Sequence, residues 1–383
     1  MPAALLDYCR THQDWLIHLI ETLVTIESPT DDKAAVDRCG DELDRQLRAI
    51  GMRTTRVPAV GAGDHLLAEI GDAGPRVLLL GHFDTVWPVG QLARMPLERR
   101  DGRLHGPGVF DMKTGIGLGM LAVRALGATG TLRGRVAMLW TTDEETGSGT
   151  SRALVEREAK ASDAVLVLEP ALPGGAVKTR RKGCGQFEVV THGIAAHAGI
   201  DPGKGVSAIA ELARQILAIE ALADLPNGVS VNVGVIAGGS RPNVVAEEAR
   251  ALVDVRAPTM AQAEAVVAAM RALVPRTPGA RVDVTGGFER PPLERTAGVA
   301  RLYDEARSVA AALGVTLDEG GTGGGSDGNF CAALGVPTLD GLGAVGDGAH
   351  ALHEHVELAS LPLRAALLAG LIGRVTEERP GGR

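Results

Sequence analysis

The chain has 383 residues, of which 45% are apolar, and carries a formal net charge of −8 at pH 7. A single hydrophobic core rarely extends beyond about 250–300 residues, so the length predicts a soluble globular protein of two domains. The acidic balance and the 3% aromatic content argue against a nucleic-acid partner, which requires basic surface and aromatic stacking platforms.

The cysteines and the N-terminal residues both favour a cytoplasmic protein. Cys9, Cys39, Cys184 and Cys331 are scattered and form no Cys-x-x-Cys pair, which is typical of reduced thiols. The first residues lack the basic start and apolar run of a signal peptide. No stretch reaches the roughly 18 uninterrupted apolar residues that a membrane-spanning helix needs, so no membrane partner is expected.

The first part of the chain alternates between helical and strand patterns. Apolar spacing predicts helices over residues 3–27, 32–50 and Thr114–Leu126. Short apolar runs predict buried strands at Arg76–Leu80, Arg135–Trp140 and Ala164–Leu168. This alternation predicts an α/β sheet with helices on its faces.

A different pattern begins near Gly183 and ends at Pro291. It predicts four alternating strands and two helices in the order β-α-β-β-α-β, at Gln186–Thr191, 206–222, Val229–Ile236, Ala249–Arg256, Met260–Leu273 and Val282–Thr285. The earlier pattern then returns, with a last helix near Leu361–Val375. We therefore expect a ferredoxin-like α+β domain at 183–291, inserted into a mixed-sheet α/β domain made of 1–182 and 292–383.

Acidic residues and histidines follow the predicted strands directly, where open α/β sheets place their ligand sites. The clusters are His82-Phe83-Asp84, Asp111, Asp143-Glu144-Glu145, Glu169-Pro170 and His350-Ala-Leu-His353. Each is weak alone: Asp111 also fits a helix N-cap, and either His350 or His353 could be a metal ligand. Together they offer the mixture of nitrogen and oxygen ligands that zinc accepts.

The order of these motifs resembles the M20 metallopeptidase family, and within it the carboxypeptidase G2 (glutamate carboxypeptidase) group. The matching motifs, which span nearly the whole chain, are Gly81-His82-Phe83-Asp84-Thr85-Val86, Gly106-Pro107-Gly108 with Asp111-Met112-Lys113, Thr142-Asp143-Glu144-Glu145, Glu169-Pro170, Ala196-His197-Ala198-Gly199 and Gly323-Gly324-Gly325-Ser326-Asp327. Their shared order is specific, whereas no single motif is.

The resemblance implies a catalytic domain that binds two zinc ions, for which cobalt or manganese can substitute. His82 and Glu169 would hold one ion and His350 and Glu145 the other, with Asp111 bridging them. His350 is preferred over its neighbour because it stands four residues before Glu354, as in the family pattern.

The resemblance also implies the catalytic groups. Glu144 would be the general base, and Asp84 would orient His82. The inserted domain would act as a lid and form a homodimer, and His197 would reach the neighbouring subunit's site to support the oxyanion. A cis Asp111–Met112 peptide bond is implied as well.

The implied reaction is hydrolysis of the amide bond of an N-acyl amino acid or short peptide, with release of a C-terminal amino acid. The implied substrate-binding residues are Asn243, Arg256, Arg290, Gly325 and Ser326. Arg290 suits a substrate carboxylate because its guanidinium can form two parallel hydrogen bonds.

The substrate stays open at this point. Glutamate-releasing members carry a basic residue shortly after the Glu-Pro motif, but Ala176 stands there, with Lys178 and 180–182 slightly later. N-acyl-amino-acid deacylase and dipeptidase activities therefore remain alternatives. The charged run 178–182 is expected to be a solvated edge.

Two rival interpretations come from other classes. Gly324-Gly-Ser326-Asp-Gly328 matches a nucleophile elbow, with Asp340 or Asp347 and then His350 in the chain order of α/β-hydrolases. This serine-hydrolase hypothesis lacks a buried strand before the serine and leaves the upstream acidic motifs unused. A non-catalytic binding protein on the same fold is the other alternative.

Overall fold

A computed structural model describes residues 2–377 of the protein. Its α-helices are α1 (Pro2–Thr11), α2 (Gln13–Thr25), α3 (Lys33–Ala49), α4 (Thr114–Ala128), α5 (Arg152–Lys160), α6 (Ala208–Glu220), α7 (Met260–Arg271), α8 (Ala297–Ala312), α9 (Gly328–Ala333) and α10 (Leu361–Thr376).

The strands of these residues form four sheets. In chain order they are β1 (Arg53–Val57), β2 (His65–Ile70), β3 (Arg76–His82), β4 (Glu98–Arg100), β5 (Arg103–His105), β6 (Arg135–Thr141), β7 (Ala164–Val167), β8 (Val177–Arg181), β9 (Gly183–His192), β10 (Ser230–Gly238), β11 (Glu248–Ala257), β12 (Arg281–Arg290), β13 (Glu319–Thr322), β14 (Thr338–Leu339), β15 (Gly346–Asp347) and β16 (His355–Glu357).

The chain divides into two units. Within the described residues, the larger comprises 2–180, Glu294–Gly321 and 326–377, and the smaller comprises Arg181–Leu293 and Thr322–Gly325. The sequence pattern predicted an insert over 183–291 without the glycine-rich run. That run groups with the smaller unit because the Lys182 N–H donates to Thr322 O and Arg181 Nη1 donates to the carbonyl oxygens of Gly324 and Gly325.

The larger unit is built on a mixed six-stranded sheet in the order β1-β2-β6-β3-β7-β14. Strands β6, β3, β7 and β14 run parallel, and β1 and β2 are antiparallel additions at one edge. Both faces are covered: Val77 and Leu79 pack into one apolar cluster and Leu78 and Leu80 into the other. Every residue of β3 is therefore buried, as the continuous apolar sequence of Val77–Leu80 at its centre favours.

The smaller unit is an antiparallel four-stranded sheet in the order β10-β11-β9-β12, with helices α6 and α7. Its β-α-β-β-α-β chain order and strand order are ferredoxin-like. Phe187 and Val189 belong to its apolar core, together with Ala251, Val253 and Val255, while alternate residues are partly or fully exposed. The predicted mixed α/β fold class is confirmed.

The N-terminal helices differ from the sequence prediction, and one C-terminal segment is unusually apolar. A single helix over residues 3–27 is wrong, because His12 leaves helical geometry (φ −106°, ψ 18°) and separates α1 from α2. The segment Leu358–Thr376, with a mean hydropathy of 1.5, is long and apolar enough to cross a membrane. Of the 18 most apolar consecutive residues in this segment, 67% are buried inside the structure, as in the core helix of a globular domain.

Candidate metal centre

The parallel strands of the larger unit end at one edge of the sheet. His82 is the last residue of β3 and stands opposite Thr141, the last residue of β6. The turn that carries Glu144 and Glu145 follows β6, and Glu169 follows β7 two residues after its end. Side chains from three neighbouring strand ends therefore meet at this edge.

The turn that carries Asp111 fits closely against β3. The Asp111–Met112 peptide bond is cis, which confirms the expectation from the motif. The Met112 sulfur accepts the backbone N–H of His82 at 3.3 Å. A Cβ on Gly81 would lie 2.3 Å from Met112 Cε and 2.7 Å from its sulfur, so any larger residue there would displace the Met112 side chain from this contact.

His350 lies in the loop between β15 and β16. Strand β16 pairs with β5, which brings this loop beside the segment that leads to Asp111. The backbone of His350 is in the left-handed region, with φ at 61°. For a non-glycine residue that conformation costs on the order of 1 kcal/mol, and such residues concentrate at functional sites.

The other four predicted ligands converge around Asp111. Asp111 Oδ1 lies 3.3 Å from His82 Nε2, and Asp111 Oδ2 lies 3.5 Å from His350 Nε2. Glu169 Oε1 is 3.4 Å from His82 Nε2, and Glu145 Oε2 is 3.2 Å from His350 Nε2. Each oxygen of Asp111 thus faces a different histidine, and each histidine has a glutamate of its own.

The carboxylates control the protonation of the two histidines. Hydrogen bonds to Asp111 and Glu145 raise the pKa of His350 to about 10. Burial opposes protonation of His82, but the carboxylates of Asp111, Asp84 and Glu169 outweigh it and hold its pKa well above the ordinary value. The concentrated negative charge would equally attract a divalent cation, whose binding displaces protons from imidazole.

The carboxylates themselves respond to burial and to the histidines. Burial opposes ionisation of Asp111, yet its hydrogen bonds with His350 and His82 hold its pKa below the ordinary value. Burial raises the pKa of Glu145. The Oε1 atom of Glu145 is buried and has no hydrogen-bond partner, which is a costly state for a carboxylate oxygen.

These residues fit a metal centre. His82, Asp111 and Glu145 each offer a ligand atom, and the three atoms lie within 4.8 Å of one another. A cation would satisfy the unpartnered Oε1 of Glu145, and the donor set of imidazole nitrogens and carboxylate oxygens suits zinc, cobalt and manganese. His353, the other candidate, is exposed, and its carbonyl oxygen accepts a hydrogen bond from His355.

Asp84, the residue expected to orient His82, is fully buried beside it. His82 Nδ1 lies 3.0 Å from the Asp84 carbonyl oxygen and 3.3 Å from Oδ1, and Oδ1 has no hydrogen-bond partner. Oδ2 accepts the Thr30 hydroxyl at 2.8 Å and the Glu145 N–H at 3.3 Å. The backbone carbonyl thus orients the imidazole, and the carboxylate fixes the Glu145 turn.

Glu144 begins a short 3₁₀ turn, Glu144–Thr146, and is half-buried. The preceding Asp143 points inward: its Oδ2 accepts the N–H and hydroxyl of Thr150 at 2.6 and 2.7 Å. One acid of the run 143–145 thus anchors the turn, and the next two project from it. This division explains how three consecutive acids are tolerated.

His197 and Asn243 lie on adjoining segments of the smaller unit. The Ala198 N–H donates to the Asn243 carbonyl oxygen at 3.0 Å, and both predicted site residues are exposed. The N–H groups of Gly199 and Ile200 lie 3.2 Å from His197 Nδ1. Because Nδ1 accepts, the neutral imidazole carries its proton on Nε2, where it can donate to a ligand.

Three other predicted residues cluster at one end of the smaller unit. In the strand register, Cys184 of β9 stands opposite Arg256 of β11 and Arg290 of β12. A Cβ on Gly325 would lie 3.0 Å from Cys184 Sγ and 3.2 Å from Arg290 Cδ. Arg256 is held by Asp254, with Nη2 2.8 Å from Oδ2. No pattern in the sequence indicates a role for Cys184, because only the strand register reveals its position.

The geometry around Ser326 contradicts the serine-hydrolase hypothesis. Ser326 is fully buried, and its hydroxyl donates to Asp340 Oδ2 at 2.7 Å rather than to a histidine. His350, the histidine required by that hypothesis, contacts Asp111 and Glu145 instead. The Ser326 side chain therefore shapes the glycine-rich loop and is not available as a nucleophile.

The charged run 178–182 is only in part the solvated edge that the sequence predicted, since Arg180 is exposed but its charged neighbours Lys178 and Arg181 are not. Lys178 and Arg181 are buried, with 7% and 4% of their surface exposed.

Glu354 is a contact of the Asp111 turn that the sequence did not predict. Its four-residue spacing from His350 was the only signal in the sequence, because its partners are mainly backbone N–H groups.

Comparison with known proteins gives a consistent family assignment. Carboxypeptidase G2 of Pseudomonas sp. (strain RS-16) is 32% identical over 372 residues, covering 94% of this chain and 89% of the relative. A succinyl-diaminopimelate desuccinylase of Gluconacetobacter diazotrophicus is 32% identical over 362 residues, covering 85% of this chain and 90% of the relative.

A solved structure gives the same fold. The aminopeptidase PepT of Bacillus cereus superposes with a TM-score of 0.82 at 23% identity, covering 95% of this chain and 99% of that one. Residues 78–374 match peptidase family M20/M25/M40. With this match over most of its length, the chain belongs to peptidase family M20/M25/M40 and is a metallopeptidase-family hydrolase.

Proposed function

We propose that the protein is a two-metal amidohydrolase that cleaves the amide bond of an N-acyl amino acid or short peptide and releases the C-terminal amino acid. The arrangement around Asp111 carries this proposal. Its two oxygens face two histidines, and each histidine has a separate glutamate at 3.2–3.4 Å. That is the division of ligands expected for two cations that share one carboxylate.

His82 and Glu169 would hold one ion, His350 and Glu145 the other, and Asp111 both. Bound divalent cations make water nucleophilic at neutral pH and polarise a carbonyl group. Zinc is the proposed metal, with cobalt or manganese able to replace it.

The protein's own groups supply the proton transfer and the charge stabilisation. Glu144, next to the ligand Glu145 on the same turn, would accept the proton of the attacking water and pass it to the leaving amine. The Nε2–H of His197 from a neighbouring subunit would donate to the developing oxyanion. Asp84 would hold the Glu145 turn in place and orient His82.

A carboxylate on the substrate is supported by the arginines of the smaller unit. Arg256 and Arg290 align across Cys184 in the strand register, beside Gly325. Arg290 would bind the substrate's α-carboxylate with two hydrogen bonds, and Asn243 would contribute a polar contact. The fully buried Ser326 would stabilise the conformation of the glycine-rich loop that contains Gly325.

The released amino acid distinguishes two versions of the proposal. The first is a glutamate carboxypeptidase-like activity, which the similarity to carboxypeptidase G2 supports. The second is an N-acyl-amino-acid deacylase or dipeptidase, which the similarity to a desuccinylase supports together with Ala176 at the position of an expected basic residue.

A homodimer through the smaller unit belongs to the same proposal. Strand β10 is an edge strand, and Val235 and Ile236 on it are 55% and 64% exposed. Ile209 and Leu217 of α6 are also exposed. Exposed apolar residues on an edge strand and on the helix that packs beside it are typical of an interface between protein chains.

A hydrolysis panel with a matched pair of variants tests the proposal. The metal-stripped protein is reloaded with zinc, cobalt or manganese and assayed on N-acyl amino acids and dipeptides that differ in the C-terminal residue. Glu144→Gln should keep its metal content and lose turnover by about 100- to 10,000-fold. Glu145→Gln, one residue later, should lose metal as well as turnover.

Three results would contradict the proposal at different points. Turnover that survives complete chelation would point to a metal-independent hydrolase. A Glu144→Gln variant that stays active would show that another group is the base. A zinc-loaded protein inert toward the whole panel would favour a binding protein.

A further inference from the structure

Glu354 is a fully buried carboxylate that is not one of the five candidate ligands. Its Oε1 accepts the backbone N–H groups of Phe110 at 2.8 Å and Asp111 at 3.1 Å. Its Oε2 accepts the Gly108 N–H at 3.0 Å and the indole N–H of Trp87 at 2.9 Å. Both oxygens are thus occupied by N–H donors.

These donors belong to the segments that carry the candidate ligands. Gly108 and Phe110 lie in the turn of Asp111, whose own N–H is one of the donors. Trp87 lies five residues after His82, on the segment that leaves β3. Glu354 itself lies four residues after His350, in a loop where its N–H donates to Ala351 O. Three ligand-carrying segments therefore meet at one carboxylate.

We propose that Glu354 is a positioning residue of the metal centre, whose carboxylate fixes the turn of Asp111 against the loop of His350 before a cation binds. The inference rests on the proposed function in taking Asp111 and His350 as ligands. A turn held by hydrogen bonds to backbone N–H groups cannot rotate Asp111 away from the histidines without leaving those donors unsatisfied. Residues that orient metal ligands typically affect metal affinity by about 10- to 100-fold.

The variant Glu354→Gln tests this role directly. The amide keeps the size of the side chain but has one acceptor oxygen, and its NH₂ group would face N–H donors. We expect zinc affinity to fall by about 10- to 100-fold. Trp87→Phe removes one donor and leaves the backbone donors, so its loss should be smaller, up to about tenfold.

Glu211 offers a matched control in the smaller unit. It is also fully buried, and it accepts the N–H groups of Arg276 and Thr277, both at 2.8 Å, and the side chain of Gln215. Glu211→Gln makes the same chemical change on the same kind of acceptor, but in the unit that carries none of the five candidate ligands. It should leave zinc affinity unchanged.

Two measurements on the full chain are compared for wild type, E354Q, W87F and E211Q. The first is zinc affinity, by competition with a chromophoric chelator. The second is amide hydrogen exchange of the metal-stripped protein. The exchange rate of residues 108–111 should be higher in E354Q than in wild type and should be unchanged in E211Q. At saturating zinc, E354Q should recover part of its turnover, because the ligands themselves are intact.

The outcomes separate this inference from the proposed function. Wild-type zinc affinity in E354Q and W87F would overturn the positioning role, and so would an equal loss in E211Q, which would indicate general destabilisation. If E354Q does not fold, W87F decides by the same criteria. A wild-type protein that binds no divalent cation would instead overturn the proposed function, while hydrogen exchange at residues 108–111 would still show whether Glu354 fixes the turn.

Discussion

The sheets of the two units differ in how their faces are covered. Strand β3 of the larger unit is buried at every position, because apolar clusters lie on both faces of its sheet. Strand β9 of the smaller unit alternates between buried and partly exposed residues, since its apolar core lies on one face. The two sequences reflect this: residues Val77–Leu80 of β3 form a continuous apolar run, whereas apolar and polar residues alternate in β9.

This difference is consistent with the separate tasks proposed for the two units. A doubly covered parallel sheet holds its strand ends rigidly, and His82 and Glu169 follow such ends. A sheet covered on one face leaves the other available for ligands and partners, and Cys184 and Arg256 point to that uncovered side. The larger unit thus suits the chemistry, and the smaller suits recognition.

The largest expected effect follows the removal of the central charge in the larger unit. Asp111→Asn keeps the shape of the side chain but removes the carboxylate that faces both histidines. Zinc affinity should fall by more than about 100-fold, because losing a ligand should cost more than losing a residue that only orients one, and turnover should fall with it. The measurement is zinc competition, with Asp283→Asn, at a half-exposed acid of the smaller unit, as the control. Two equivalents of tightly bound zinc in the variant would exclude Asp111 as the shared ligand.

The elements that the sequence predicted are those with strong local patterns. The apolar runs Arg76–Leu80 and Arg135–Trp140 became β3 and β6, and the alternating segments of the smaller unit became its sheet. The sheet β15-β16-β5-β4 was missed, because strands of two or three residues, such as Glu98–Arg100, are too short for any periodicity. Its position nevertheless brings the His350 loop toward the Asp111 turn.

The same contrast holds for the candidate site. Side chains such as His82, Glu145 and His350 could be proposed because their residue types carry the chemistry, and the structure brings them together. The contacts of Glu354 and Arg181 could not, since their partners are largely backbone groups that leave no mark in a sequence. Local patterns therefore reveal ligands more readily than the residues that hold them in place.

The next largest effect concerns packing. Leu79 on β3 is fully buried, whereas Leu252 on β11 is 45% exposed. Leu79→Ala should lower the free energy of unfolding of the larger unit by about 2–5 kcal/mol, through lost burial and the remaining cavity. Leu252→Ala should change the stability of the smaller unit by no more than about 0.5 kcal/mol.

Tryptophan fluorescence during denaturant unfolding checks the first of these values, because Trp15, Trp87 and Trp140 all lie in the larger unit. Calorimetry follows both variants. Equal destabilisation by the two substitutions would mean that the uncovered face of the smaller sheet is packed in solution.

A pH dependence of intermediate size is expected in the smaller unit. Burial opposes ionisation of Glu211, but hydrogen bonds from Thr277, Arg276 and Gln215 hold its pKa below the ordinary value. The unfolded chain then binds the proton more readily than the folded one. The stabilisation is therefore present above the unfolded pKa, about 4.3, and is lost as the pH falls through the lower folded value.

Glu211→Gln cannot titrate, so its stability should depend less on pH between about 5 and 3 than that of the wild type. At pH 7 it should be less stable by about 1–3 kcal/mol, because buried N–H groups lose a charged acceptor. Thermal unfolding followed by calorimetry from about pH 3 to about pH 7 measures both quantities. Identical pH slopes in the two proteins would exclude Glu211 as the titrating group.

The smallest expected effect on folding, and the most informative one about assembly, lies at the edge strand β10. Ile236 is 64% exposed, so Ile236→Asp should change the stability of an isolated subunit by no more than about 0.5 kcal/mol. In a homodimer joined along this edge, the same change would bury a charge without a partner and shift the protein toward monomer.

Val60→Asp, at a position of the larger unit that is 95% exposed, adds the same charge and should leave association unchanged. Sedimentation equilibrium distinguishes the two. A dimer that persists in Ile236→Asp would place the interface elsewhere, and His197 would then have to act without the partner contact proposed for it.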